Sequence, residues 1–162
     1  MAAILAQPLP PSMPTFASTR VQHPRTQALT RAATPPLVLV VDDHADSRLI
    51  ARLVLESAGF RVAEAESGGE ALRVAVALRP AAVLLDLVLP ELDGWEVAHR
   101  LREAECGRDI AIIAFTAIGL REDHERALAA GCDAIITKPA LPRAVVAALG
   151  ERIGFPMPEA GR

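Results

Sequence analysis

From Pro36 onward the sequence is built on one alternation: apolar runs of strand length, each followed by a stretch with helical period. The runs are LVLVV (37–41), FRVAEA (60–65), AAVLLDL (81–87), IAIIAFT (110–116) and AIIT (134–137). Runs this uniformly apolar suit strands buried on both faces of a parallel sheet, where helices cover each strand from above and below. Strands alternating with helices through short connections predict an α/β domain: a five-stranded parallel sheet between two layers of helices.

The helices are expected at about Asp46 to Ala58, from Ser67 to just before Pro80, from Asp93 through Leu101, from about Arg121 to Ala130, and after Pro142. In the first, Leu49, Ile50, Leu53 and Val54 are expected to form the stripe facing the sheet, with Gly59 ending the helix. SGGE and DGWE set Glu70 and Glu96 three residues after Ser67 and Asp93, the spacing of a capping box.

A chain of 162 residues has room for one such domain with tails. The domain is expected over 37–153, between a tail at 1–36 and a tail at 154–162. The first tail contains no Asp or Glu, carries Arg20, Arg25 and Arg31, and is rich in Pro, Ser, Thr and Ala, so it is expected to be disordered. A formal charge of -3 gives no bulk attraction for nucleic acid. Cys106 and Cys132 have neither zinc-ligand spacing nor the makings of a disulfide framework. No apolar run approaches the ~20 residues that span a bilayer. A cytoplasmic protein with reduced thiols and no membrane or nucleic-acid partner is expected.

In open parallel sheets, reactive groups collect beyond the carboxyl ends of the strands. Here the strands lead into Asp42 and Asp43, Asp86, Thr116 and Lys138. Three carboxylates at one rim repel unless a cation joins them, and a hard divalent ion such as Mg2+ fits an all-oxygen set. Lys138 and Thr116 add an ammonium and a hydroxyl beside a candidate nucleophile, Asp86, an arrangement suited to phosphoryl transfer. Each residue alone has an ordinary reading: acids opening a helix for Asp42 and Asp43, a strand-end hydroxyl for Thr116, a solvated charge for Lys138. Their joint placement carries the functional one. His44 adjoins the acidic pair and could serve as a phosphate carrier or metal ligand, a reading disfavoured because no second His or Cys stands at ligand spacing, while His99 and His124 lie in polar helical surroundings and read as surface residues.

VLVVDD, VLLDLVLPELDGWEV, IIAFTA and GCDAIITKP, in that order, resemble the receiver domain of two-component response regulators over about Leu37 to Leu149. The resemblance implies a flavodoxin-like sheet of order 2-1-3-4-5. It also implies phosphorylation of Asp86, and Mg2+ held by Asp43, Asp86 and the carbonyl of Val88, with Asp42 completing the acidic pair. Thr116 becomes the switch hydroxyl, followed by Ala117, and Lys138 the phosphoryl contact, followed by a cis bond to Pro139. The implied partners are a sensor histidine kinase or histidine phosphotransfer protein and a downstream protein target, with homodimerisation on phosphorylation left open. The family's aromatic switch position is occupied here by Ile135, which has no ring to swing.

These features lead to the expectation of a stand-alone phosphoacceptor that catalyses only its own phosphorylation and dephosphorylation, a switch and not a turnover enzyme. Val88, Ala117 and Ile118 cannot orient a water by hydrogen bonding, so slow self-dephosphorylation is expected. The rival is a receiver-like interaction module that works without phosphorylation, against which the intact acidic set argues. An aspartate-dependent phosphatase is disfavoured because Leu87 and Val88 leave no acid two residues beyond Asp86.

Overall fold

The computed structural model describes residues 34–156; the tail positions 1–33 and 157–162 lie outside them. In chain order the elements are β1 (Leu37–Val41), α1 (Ala45–Ser57), β2 (Arg61–Ala65), α2 (Gly68–Leu78), β3 (Ala82–Leu85) and α3 (Gly94–Glu103). A short 3-10 turn (Glu105–Gly107) then leads to β4 (Ala111–Thr116), α4 (Arg121–Ala129), β5 (Ala134–Thr137) and α5 (Pro142–Ile153). All pairings are parallel and the strand order is 2-1-3-4-5, as the sequence predicts. The order reverses between β1 and β3, and β3 is central.

The pleat of each strand sends alternate residues to opposite faces. Leu39, Val41, Val83, Leu85, Ile112 and Ala114 pack with Ala71 and Ala75 of α2, Val97, Ala98 and Leu101 of α3, and Ala127 of α4. Val38, Val40, Ala82, Leu84, Ala111 and Ile113 pack with Leu55 of α1 and with Val145, Val146 and Leu149 of α5. Two aliphatic cores share one sheet, which is why β1, β3 and β4 show no polar alternation, while the edge strand β2 carries Arg61 and Glu64.

The first helix departs from its expected orientation. Leu49, Ile50 and Leu53 are turned outward, at 42%, 63% and 58% exposed, while Leu55 is fully buried with Ala51, Val54 and Ala58 packed beside it. Both stripes have helical period and differ only in phase. The inner one contains two alanines, whose small side chains let the helix lie close to the sheet.

The helix caps are present, but their second halves differ from a capping box. Ser67 Oγ accepts from the Glu70 N–H at 3.3 Å, while Glu70 accepts from the N–H of Glu66 at 2.9 Å. Asp93 accepts from the Glu96 N–H at 2.8 Å, and Glu96 turns instead to Arg100 at 2.7 Å. Between β3 and α3 the chain makes a tight turn in which Glu91 has φ +64°. A Cβ at Gly94 would stand 2.3 Å from the carbonyl oxygen of Asp86, so only glycine lets α3 begin this close to the end of β3. Beyond α5, Phe155 packs against Phe60 with ring centroids 4.9 Å apart and planes tilted by 45°, so packing extends two residues past Ile153.

At the amino end of the sheet, Arg102 ties α3 to the loops that lead into β4 and β5. Its guanidinium donates to the carbonyls of Gly131, Gly107 and Ile110 at 2.7–2.8 Å and to the carboxylate of Asp133. The same carboxylate accepts the Ile112 N–H at 2.7 Å. Asp133 is thereby paired with a charge and with backbone at once.

Candidate functional site

Because neighbouring strands run parallel and in register, with Val41 opposite Leu85 and Thr116 opposite Thr137, their ends fall on one rim. Asp42 and Asp43 follow β1, Asp86 follows β3, Thr116 ends β4 and Lys138 follows β5. Asp42, Asp86 and Thr116 are 4%, 9% and 1% exposed, the buried polar side chains among the described residues. An isolated buried carboxylate is strongly unfavourable, so two of them on one rim require a partner.

Lys138 is that partner. Its Nζ stands 2.6 Å from Asp42 Oδ2 and 2.8 Å from Asp86 Oδ2, bridging the ends of β1 and β3. Burial by itself would lower the lysine's pKa, but hydrogen bonds to Asp42 and Asp86, together with their charges, outweigh it and hold the ammonium above its ordinary value. The Phe115 ring lies 5.0 Å from the same nitrogen and adds a cation–π contact on the apolar side. The Lys138 N–H donates to the Thr116 carbonyl at 2.8 Å, which fixes where the side chain leaves β5.

Other bonds fix the acids. Asp86 Oδ1 accepts the Val88 N–H at 2.9 Å, and Asp42 Oδ1 accepts the His44 N–H at 2.9 Å. Arg48 of α1 donates to the Asp42 carbonyl at 2.8 Å and reaches Glu64 of β2 at 3.4 Å. Asp43 is more open, with His44 Nδ1 2.9 Å from its Oδ1. The ligand atoms of Asp42, Asp43 and His44 all lie within 4.8 Å of one another, and Asp86 is linked to them through Lys138.

Thr116 Oγ1 accepts the Ile118 N–H at 3.3 Å, holding the loop that contains Ala117. Val88 is 54% exposed at the mouth of the rim. Pro139 follows Lys138 through a cis peptide bond, and Ile135 packs, half-buried, against the core under α2, α3 and α4. Arg48 and Phe115 were not singled out by sequence. Nothing local distinguishes Arg48 from Arg52, the other basic residue of α1, and Phe115 reads as one more strand residue.

Three carboxylates against one ammonium leave a formal charge of -2 with His44 neutral, since -3 + 1 = -2. That surplus matches one divalent cation, and the oxygen donors suit Mg2+.

A 2-1-3-4-5 parallel sheet with paired acids at its reversal, an acid on the central strand and a lysine bridging them defines the receiver class of α/β domains. The chain belongs to the response regulator receiver domain family, whose sequence model matches residues 38–150. It is 36% identical over 110 residues to the polar-differentiation response regulator DivK of Brucella anthropi, covering 67% of this chain and 89% of DivK. It is 42% identical over 112 residues to the phosphate regulon transcriptional regulatory protein PhoB of Pseudomonas aeruginosa, covering 69% of this chain but only 49% of PhoB. The chain thus spans about half the length of that relative. The receiver domain of the sensor histidine kinase PA1611 of Pseudomonas aeruginosa, solved with magnesium coordinated in its active-site cleft, superposes with TM-score 0.70. It is 34% identical to this chain, and the match covers 74% of this chain and 98% of that one. No helix among the described residues is long and apolar enough to cross a membrane.

Proposed function

We propose that this receiver takes a phosphoryl group onto Asp86 from a phosphohistidine of a sensor histidine kinase or histidine phosphotransfer protein. The phosphorus–nitrogen bond breaks, the electron pair stays on the imidazole, and a carboxylate oxygen of Asp86 forms the new bond, giving an acyl phosphate. The observation that carries the reading is the double hydrogen bond from Lys138 Nζ to Asp42 and Asp86 on a buried rim that still holds a formal surplus of two negative charges.

Asp43, Asp86 and the carbonyl of Val88 would hold Mg2+, with Asp42 beside them. The bound ion supplies neutralisation of charge on the transferring group. Lys138 orients the acceptor carboxylate and remains as a positive charge next to the incoming oxygens. The Val88 N–H holds the other oxygen of Asp86 and limits rotation of the carboxylate. Thr116, with its hydroxyl engaged only by the Ile118 N–H among the described contacts, can turn to donate to the new dianion and carry the Ala117 loop with it. The chain acts as a cytoplasmic switch for a downstream protein and not as a turnover enzyme.

Incubation with acetyl phosphate and Mg2+ should give a stoichiometric, hydroxylamine-labile phosphate, absent from Asp86→Asn. Labelling of that variant at the wild-type level would overturn the assignment. No labelling of either protein would favour the phosphorylation-independent module.

A further inference from the structure

We propose that His44 is a direct nitrogen ligand of the divalent-cation site, so that the preference of this chain for Co2+ or Zn2+ over Mg2+ depends on that imidazole. The inference rests on reading the acidic rim as a cation site and goes beyond it by adding a ligand of different chemistry.

The geometry suits coordination. Nδ1 of His44 is 2.9 Å from Asp43 Oδ1 and 3.4 Å from Asp42 Oδ1. Adjacent ligands around an octahedral ion with bonds near 2.1 Å stand about 3.0 Å apart, so Nδ1 is spaced from the Asp43 oxygen, and nearly so from that of Asp42, like a donor sharing one ion with it. The backbone of His44 is fixed beside the acids, because its N–H is anchored on Asp42 Oδ1 at 2.9 Å at the start of α1. The imidazole is 75% exposed and makes no helix-capping hydrogen bond, so it can meet an ion without giving up a role in the fold. Asp43 receives no Lys or Arg contact among the described residues and is the carboxylate most open to an ion.

The donor set then becomes mixed. Carboxylate and carbonyl oxygens satisfy Mg2+, which gains little from imidazole, whereas Co2+ and Zn2+ gain strongly from a nitrogen ligand. His44 therefore widens the gap between the two kinds of ion without being required for Mg2+.

Calorimetric titration of the full chain and of His44→Ala, with Mg2+ and with Co2+, tests this. The variant should bind Mg2+ within about threefold of wild type and lose about tenfold or more in Co2+ affinity. The Co2+-loaded wild type should show a hyperfine-shifted, exchangeable imidazole proton by NMR that the variant lacks. Equal weakening of both ions would make His44 a positioning group for Asp43 and overturn the ligand assignment, as would unchanged Co2+ affinity. Wild-type Co2+ affinity in Asp43→Asn would put the ion elsewhere, with the same consequence. Absence of Mg2+ binding by the wild type would instead bring down the underlying cation-site reading.

Discussion

Arg102 and Lys138 each bring a cation to carboxylates at one end of the same sheet, but the two ends resolve their charge differently. At the amino end, one Arg meets one Asp, and the rest of the guanidinium is taken up by three backbone carbonyls. Charge and hydrogen bonds are both balanced there, as in a half-buried pair that serves the fold. At the carboxyl end, one Lys serves two buried acids while a third stands beside them. The fold tolerates that surplus where it would be useful to a cation and a phosphoryl group. An ion pair that is complete holds the chain together; one that is incomplete on a protected rim invites a ligand.

The sharpest way to break this comparison is Arg102→Met. It removes the cation paired with Asp133 and the side-chain donor shared by three carbonyls, and should destabilise the protein by about 2–4 kcal/mol in urea unfolding. A loss well under 1 kcal/mol would show that the amino-end cluster is no clamp. Lys138→Met should destabilise the metal-free protein by about 1–3 kcal/mol, and saturating Mg2+ should restore part of that loss. Failure of Mg2+ to stabilise either protein would contradict the charge count. Asp43→Asn should have the opposite sign. Relief of repulsion raises metal-free stability by about 0.5–1 kcal/mol while the stabilisation by Mg2+ shrinks or disappears.

A pH series sharpens the same point. The folded-state pKa of Lys138 is raised, so its contribution is fully present below its unfolded value of about 10.4 and is lost as pH rises through the folded value. Alkaline unfolding of wild type, compared with Lys138→Met, should show the difference in stability narrowing only above that point. A gap that closed near neutrality would mean that the ammonium is not held by Asp42 and Asp86.

The smallest effect concerns the two thiols. Burial pushes Cys132 up to about 11, despite Arg102 opposing it, so in the native state it should react with a thiol reagent far more slowly than half-buried Cys106. Equal rates would point to local opening around Asp133. The phosphorylated form should also decay over minutes or longer, since Val88, Ala117 and Ile118 offer an attacking water no side-chain hydrogen bond; decay within seconds would contradict that expectation.

Much of this was legible in the sequence because strand ends are. A run of buried residues must stop where the chain meets water, and the polar residue that stops it is placed by the sheet and not by its neighbours. Asp42, Asp86, Thr116 and Lys138 could therefore be assigned to one rim before any coordinates. Helix phase was less legible. Leu49, Ile50 and Leu53 are larger than Ala51 and Ala58, and periodicity alone gives no reason to prefer the smaller set for the sheet. The rim puts Lys138 beside the acids but does not say that it bridges Asp42 and Asp86, and the pairing of Arg102 with Asp133, 31 residues away, has no local signal. Only the assembled sheet brings them together.

The glycine that opens α3 has one more implication. A methyl group at position 94 would sit on the oxygen of the very residue assigned to receive phosphate. Strain introduced at that helix start is thus transmitted to the acceptor through the backbone of Asp86 and Leu87, and α3 cannot come closer to the acceptor's carbonyl without a clash. Gly94→Ala should accordingly be felt as a misplaced nucleophile, even though position 94 bears no reactive group.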